Sequence, residues 1–118
     1  MKTFRFMDFP VYANAKAFYG EILKLTEGLK DFALKSQIRR AALSIILNIA
    51  EGSAKSSDKE FARFLEISIG SANEVFACLD VMRSNGSISH DDFNRVSSMC
   101  EEIAKQLGGF IKKLKNLG

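Results

Sequence analysis

Phe93, Val96, Cys100, Ile103, Leu107, Phe110, Leu114 and Leu117 follow one another at alternating steps of three and four residues, without a break. An α-helix turns once in about 3.6 residues, so this spacing lays all eight side chains along one face of a single long helix. Such a face has to be covered by other helices. The same signal recurs at the start of the chain, where Val11, Ala15, Phe18, Ile22, Leu25 and Leu29 step by four and three. Between these two segments, punctuation by capping residues and glycines marks two further helices, and no strand pattern competes. The expected helices span about residues 9–29, 34–52, 57–85 and 89–117. Connections of only a few residues force neighbouring helices to run antiparallel, so the expected fold is all-α, an up-down-up-down four-helix bundle.

The boundaries rest on specific chemistry. Asp8 can cap the first helix with Pro10 in its first turn, where a missing N–H costs nothing, and Gly28 with Leu29, Lys30 and Asp31 marks its end. Gly52 and Ser53 stop the second helix. Ser57 with Glu60 and Ser89 with Asp92 have capping-box spacing at the starts of the third and fourth, and Asn85-Gly86 closes the third. Phe4, Phe6, Met7 and Phe9 precede the first helix and are expected to pack over one end of the bundle.

At 118 residues, 47% of them hydrophobic and 26% charged, the chain holds one core and one domain. No apolar run approaches the roughly 20 residues that cross a bilayer, and the N-terminus lacks the order of a secretory signal; no membrane contact and a cytoplasmic location are the expectation. Cys78 and Cys100 have no cysteine neighbour at metal or redox spacing and read as small core residues.

The second helix carries more apolar surface than one bundle needs. Leu34, Ile38, Ala42, Ile45 and Ile49 supply the inward stripe, and Leu43, Ile46 and Leu47 extend it around the cylinder. At 100° per residue, Gln37, Arg40, Ser44, Asn48 and Glu51 all fall within an arc of about 80°. Either this polar stripe faces water beside scattered surface leucines, or the leucines pack on another copy of the chain and the stripe forms a polar network at or near that contact. The third helix is consistent with the second reading. It offers Glu60, Ser71 and Glu74 on one narrow side and the small residues Ser68, Gly70, Ser71 and Ala72 for close approach. Arg40 can pair with one of those carboxylates, as a desolvated arginine must.

The run Gln37-Ile-Arg-Arg-Ala-Ala-Leu-Ser-Ile-Ile-Leu-Asn-Ile-Ala-Glu-Gly52, followed by Ser57-Asp-Lys-Glu-Phe-Ala-Arg-Phe-Leu65 and Gly70-Ser-Ala-Asn-Glu74, resembles the four-helix bundle proteins encoded in intervening sequences of bacterial 23S ribosomal RNA genes. The likeness extends to the accessory variability protein of diversity-generating retroelements, which works beside a reverse transcriptase. The resemblance implies an antiparallel bundle assembled as a homopentamer, with basic surface proposed to bind RNA or DNA. Carried over by position, its characteristic polar residues fall on Arg39, Arg40, Ser44, Asn48, Glu51, Gly52, Glu60, Ser71 and Glu74. These coincide largely with the stripe on the second helix, which suits an architectural network better than a recognition surface.

Catalytic arrangements are hard to build here. The one histidine, His90, has Ser87 rather than a carboxylate three residues before it, so the Glu-x-x-His pairs of a di-iron bundle are missing. A Ser or Cys nucleophile would have to share that single base. Gly108-Gly109 sits inside a helical heptad, not between a strand and a helix, so it is no phosphate loop. Arg83 and His90 have a spacing resembling that of helical ribonucleases, but the interval crosses a turn. The chain is therefore expected to be non-enzymatic, with no metal or cofactor. Net charge is +3, and two clusters, Lys30, Lys35 and Arg39 and then Lys55, Lys59 and Arg63, are candidate contacts for RNA or DNA. They also read as ordinary solvated lysines and arginines. Assembly would multiply each cluster. The leading expectation is thus a self-assembling bundle that binds nucleic acid; the alternative is a ring-shaped scaffold docking a protein such as a reverse transcriptase. Leu47→Glu is expected to abolish assembly while preserving helicity, as read by sedimentation and circular dichroism; an unchanged particle mass would remove the assumed interface.

Overall fold

The computed structural model describes residues 3–117, and side chains through Asn116. Its helices are α1 (Pro10–Leu25), α2 (Phe32–Ser53), α3 (Asp58–Ser84) and α4 (His90–Leu117), preceded by a short 3-10 turn at Arg5–Asp8. Each helix packs on its chain neighbours, and α1 closes the square against α4. Contacts in which one residue number rises as its partner's falls show the antiparallel order. Ser44 meets Ser71 while Ser68 meets Ile45 across α2–α3, and Asn14 meets Gln106 while Glu21 meets Arg95 across α1–α4. A 28-residue helix is about 42 Å long, close to the 45 Å long axis of the molecule. Among the described residues no helix is long and apolar enough to cross a membrane.

The capping chemistry explains most boundaries. The Asp31 carboxylate accepts from Leu34 N–H, Ser57 Oγ from Glu60 N–H and Ser89 Oγ from Asp92 N–H, each satisfying a donor that the first helical turn leaves open. Gly86, at φ 76°, turns the chain between α3 and α4 in a conformation that side chains disfavour. Two expectations need correction. Asp8 does not cap α1: it ends the 3-10 turn, and Phe9 occupies the cap position ahead of Pro10. α1 also stops at Leu25, short of Gly28. The buried Thr26 hydroxyl donates to the Ile22 carbonyl at 2.7 Å, and Leu29 N–H bonds back to the Thr26 carbonyl, turning the chain early.

The core runs the length of the square. Val11, Ala15, Phe18 and Ile22 enter from α1, Ile38, Ala42, Ile45 and Ile49 from α2, Phe61, Leu65, Val75 and Leu79 from α3, and Phe93, Val96, Cys100, Ile103, Leu107 and Leu114 from α4. Leu117, last of the α4 heptad, lies outside the described side chains. Ile46, expected as surplus surface, is buried, because its position on the wheel turns it toward α1. At one end Phe9, Phe61 and Phe110 form an aromatic triad with centroid separations of 5.1–6.1 Å. Arg5 closes that end, its Nε donating to the Ser53 carbonyl and its guanidinium lying 5.2 Å from the Phe61 ring centre. Phe4 and Met7 stay exposed.

Gly52 sets how closely α2 and α3 approach. A Cβ there would stand 2.7 Å from Phe64 Cβ and 2.9 Å from Phe61 Cδ1. Neither atom is the free end of a flexible chain, so the helices would have to part. Alanine improves helix propensity by roughly 1 kcal/mol, but overpacking costs typically about 1–3 kcal/mol. Gly52→Ala is therefore expected to lower stability in urea titration by about 1 kcal/mol or more; an equal or higher midpoint would show that the seam can open freely.

Candidate self-association face and basic end

Midway along the α2–α3 pair three large apolar side chains face solvent, Leu43 at 38%, Leu47 at 55% and Ile67 at 42% exposure, while Phe32 and Val81 are exposed nearer the α3–α4 turn. Antiparallel pairing of Ser44 with Ser71 places Leu47 and Ile67 at nearly the same level, so the three form one patch. The core beneath is complete without them. Ile67 was not singled out from the sequence, although Glu60, Ile67, Ser71 and Glu74 step by seven, four and three and so share one stripe.

The polar stripe beside this patch is largely a seam inside one chain. Ser44 and Ser71 hydroxyls bond at 2.8 Å, and Asn48 Nδ2 donates to both the carbonyl and the hydroxyl of Ser44. Deeper in the same seam, Ser68 Oγ donates to the Ile45 carbonyl at 3.0 Å. Glu51 pairs with Lys55 at 3.2 Å. Gln37 and Arg40 are exposed. Arg40 does not meet Glu60 or Glu74, and among the described residues it and Glu74 have no ion-pair or hydrogen-bond partner. Glu60 goes instead to Arg63 at 3.1 Å, whose hydrogen bond and positive charge hold its carboxyl below the ordinary range.

The two basic clusters differ in kind. Arg39 is half-buried and committed to the C-terminal end of α1: its Nε donates to Thr26 Oγ1 at 2.9 Å and its NH2 group to the Leu23 carbonyl at 3.0 Å. Lys35 Nζ donates to the Glu27 carbonyl. These cations satisfy carbonyls that a helix terminus leaves open, which takes them from the role expected of a free phosphate contact; Lys30 remains exposed. At the other end of the bundle Lys59 and Arg63 line an open depression of about 650 Å³ together with Lys115 of α4. Lys115 pairs with Glu66 at 3.3 Å, a contact invisible in sequence across 49 residues. Lys55 and Arg63 each lie 4.9 Å from the Phe64 ring centre. Antiparallel packing brings Lys112 and Lys113 to this same end.

Arg83 bonds Asp80 at 2.6 Å and lies 3.9 Å over the Phe93 ring, while His90 is the exposed first residue of α4. No hydrogen bond or ion pair joins Arg83 to His90 among the described residues. Among the described residues no group of acids, cysteines and histidine could hold a metal. Cys78 and Cys100 are both buried and free; burial first, and then Glu101, push the Cys100 thiol up to about 11.

Fold and surface together define a small helical-bundle protein with an apolar flank and a basic end. The chain belongs to the 23S rRNA-intervening sequence protein family, whose model matches residues 7–109. It is similar to a crystal structure of a protein with unknown function from the S23 ribosomal protein family from Bacteroides thetaiotaomicron VPI-5482, at 27% identity and a TM-score of 0.82. That match covers 86% of this chain and 98% of the other. No curated protein matches.

The geometry at Arg39 separates architecture from recognition. Hydrogen bonds to charged groups are worth about 1.5–3 kcal/mol when solvent is partly excluded, and Arg39 is only half-buried. Arg39→Ala is expected to cost about 1–2 kcal/mol in chemical denaturation and to leave nucleic-acid affinity nearly unchanged. Unaltered stability with lost affinity would return Arg39 to the binding surface.

Proposed function

We propose that this chain is a non-enzymatic, cytoplasmic bundle that assembles with copies of itself and binds RNA or DNA through clustered basic side chains. The observation that carries the reading is the collection of Lys55, Lys59, Arg63, Lys112, Lys113 and Lys115 at one end of the bundle, contributed by α3, α4 and the α2–α3 connection. Glu51, Glu60 and Glu66 partner three of these cations. Exposed pairs of this sort are worth only about 0–1 kcal/mol each, so a phosphate backbone of high charge density competes for the same cations. Assembly supports the reading because repeating the basic end in each copy builds a field that a monomer of charge +3 does not have. The family resemblance implies five copies.

Binding of this kind is dominated by phosphate contacts and has little base specificity. Fluorescence anisotropy with labelled RNA and DNA oligonucleotides should show affinity falling steeply as salt rises. Lys59→Glu with Arg63→Glu should weaken binding at least about tenfold and flatten the salt dependence by about one unit of log–log slope per lost contact. Affinity indifferent to both salt and charge reversal would reject nucleic-acid binding and favour the protein-docking scaffold; RNA cleavage lost on His90→Ala would reject the non-enzymatic assignment.

A further inference from the structure

Arg40, Leu43, Leu47 and Glu51 step by three, four and four along α2, and Glu102, Gln106, Gly109 and Lys113 step by four, three and four along α4. At 100° per residue each set forms one stripe within an arc of about 80°. The α2 stripe is the outward side of that helix. Its middle is the exposed Leu43 and Leu47. The α4 stripe looks toward α1, where Gln106 accepts from Asn14 at 3.1 Å. Two grooves of about 390 and 460 Å³ flank Gln106, one bordered by Ala17, Met99 and Glu102 and the other by Pro10, Gly109 and Lys113. The α2 stripe is a ridge, and the α4 stripe borders a trough that the Asn14–Gln106 pair divides in two, with Gly109 exposed along it.

The charges at the ends of the two stripes are complementary. In α2 a cation precedes an anion by eleven residues, and in α4 an anion precedes a cation by the same eleven, about 16.5 Å in either helix. α2 and α4 run in the same direction, being two antiparallel steps apart. Arg40, Glu102 and Lys113 have no ion-pair partner among the described residues. Glu51 holds only the exposed contact to Lys55.

We propose that the α2 ridge of one copy seats in the α1–α4 trough of the next, head to tail, with Arg40 against Glu102, Glu51 against Lys113, and Leu43 and Leu47 over Gln106 and Gly109. The proposal rests on the self-assembly reading above and adds which faces meet. Through the α2–α3 and α3–α4 contacts the stripes lie within about four residues of level, about 6 Å along the axis, which a tilt of each bundle and the reach of the four charged side chains span. Because ridge and trough are different surfaces, the contact is heterologous and repeats by one operation. Every copy then points the same way, so all the basic ends gather on one rim.

The test uses two full-length variants, Leu47→Glu to block the ridge and Gly109→Arg to block the trough. A Cβ at Gly109 meets nothing within 4 Å and the position is exposed, and circular dichroism of each variant should match the wild type. Native mass spectrometry and sedimentation should find each variant alone at 13.1 kDa. An equimolar mixture should form a species of twice that mass, because the trough of Leu47→Glu and the ridge of Gly109→Arg are both intact. Arg40→Glu should weaken association about tenfold and Glu102→Arg in the same chain should restore it. A mixture that stays monomeric, or a Gly109→Arg protein that assembles like the wild type, overturns the ridge-and-trough pairing while self-assembly stands. A wild-type chain that is itself monomeric removes both.

Discussion

Where α2 crosses α3 at Gly52, the helix backbone approaches the Phe61 and Phe64 side chains too closely for a Cβ to intervene, and Ser68 ties α3 to the Ile45 carbonyl near the middle of the same seam. Together these contacts fix the rotation of α2 about its own axis. With Gly52, Ile45, Ile49 and Ile38 turned inward, Leu43 and Leu47 have nowhere to go but outward. Rolling the helix to bury Leu47 would lift Gly52 from its notch and break the Ser68 bond. Each leucine so held forgoes on the order of 1 kcal/mol of burial that a core position would provide. The apolar flank is thus a consequence of how the core is made.

The fold was legible because every helix repeats its apolar residues at three-four spacing and the short polar connections carry recognisable caps. The α4 seam is buried from Phe93 to Leu114, apart from Phe110, which is partly buried. What sequence could not supply was the use of side chains that serve a tertiary neighbour. Thr26 ends α1 early by bonding back to Ile22 while accepting from Arg39, thirteen residues away; read alone it is an unremarkable helical residue. Ile46 looked like surplus surface because periodicity gives the angle of a side chain but not how far the neighbouring helix wraps around it.

The polar stripe on α2 shows the same limit from the other side. Counting residues gives its arc, yet spacing does not say which partner occupies it. Ser44, Asn48 and Ser71 satisfy one another within the chain, whereas Arg40 and Glu74 reach solvent. Basic residues divide likewise. Lys35 and Arg39 stabilise a helix end, and Lys59, Arg63 and Lys115 meet around an open depression at the opposite end. Clustering in sequence identified both groups except Lys115, but only the three-dimensional position of the accepting carbonyls tells them apart.

In the proposed assembly, self-association would cover the exposed leucines and bring the charged ends of the copies together. Sedimentation equilibrium of the unmodified chain, from about 1 to 100 μM at physiological salt, tests this most directly, since affinities that matter in a cell lie in or below that range. The account predicts a particle mass that is a multiple of 13.1 kDa throughout. A well-folded 13.1 kDa monomer at every concentration would contradict it.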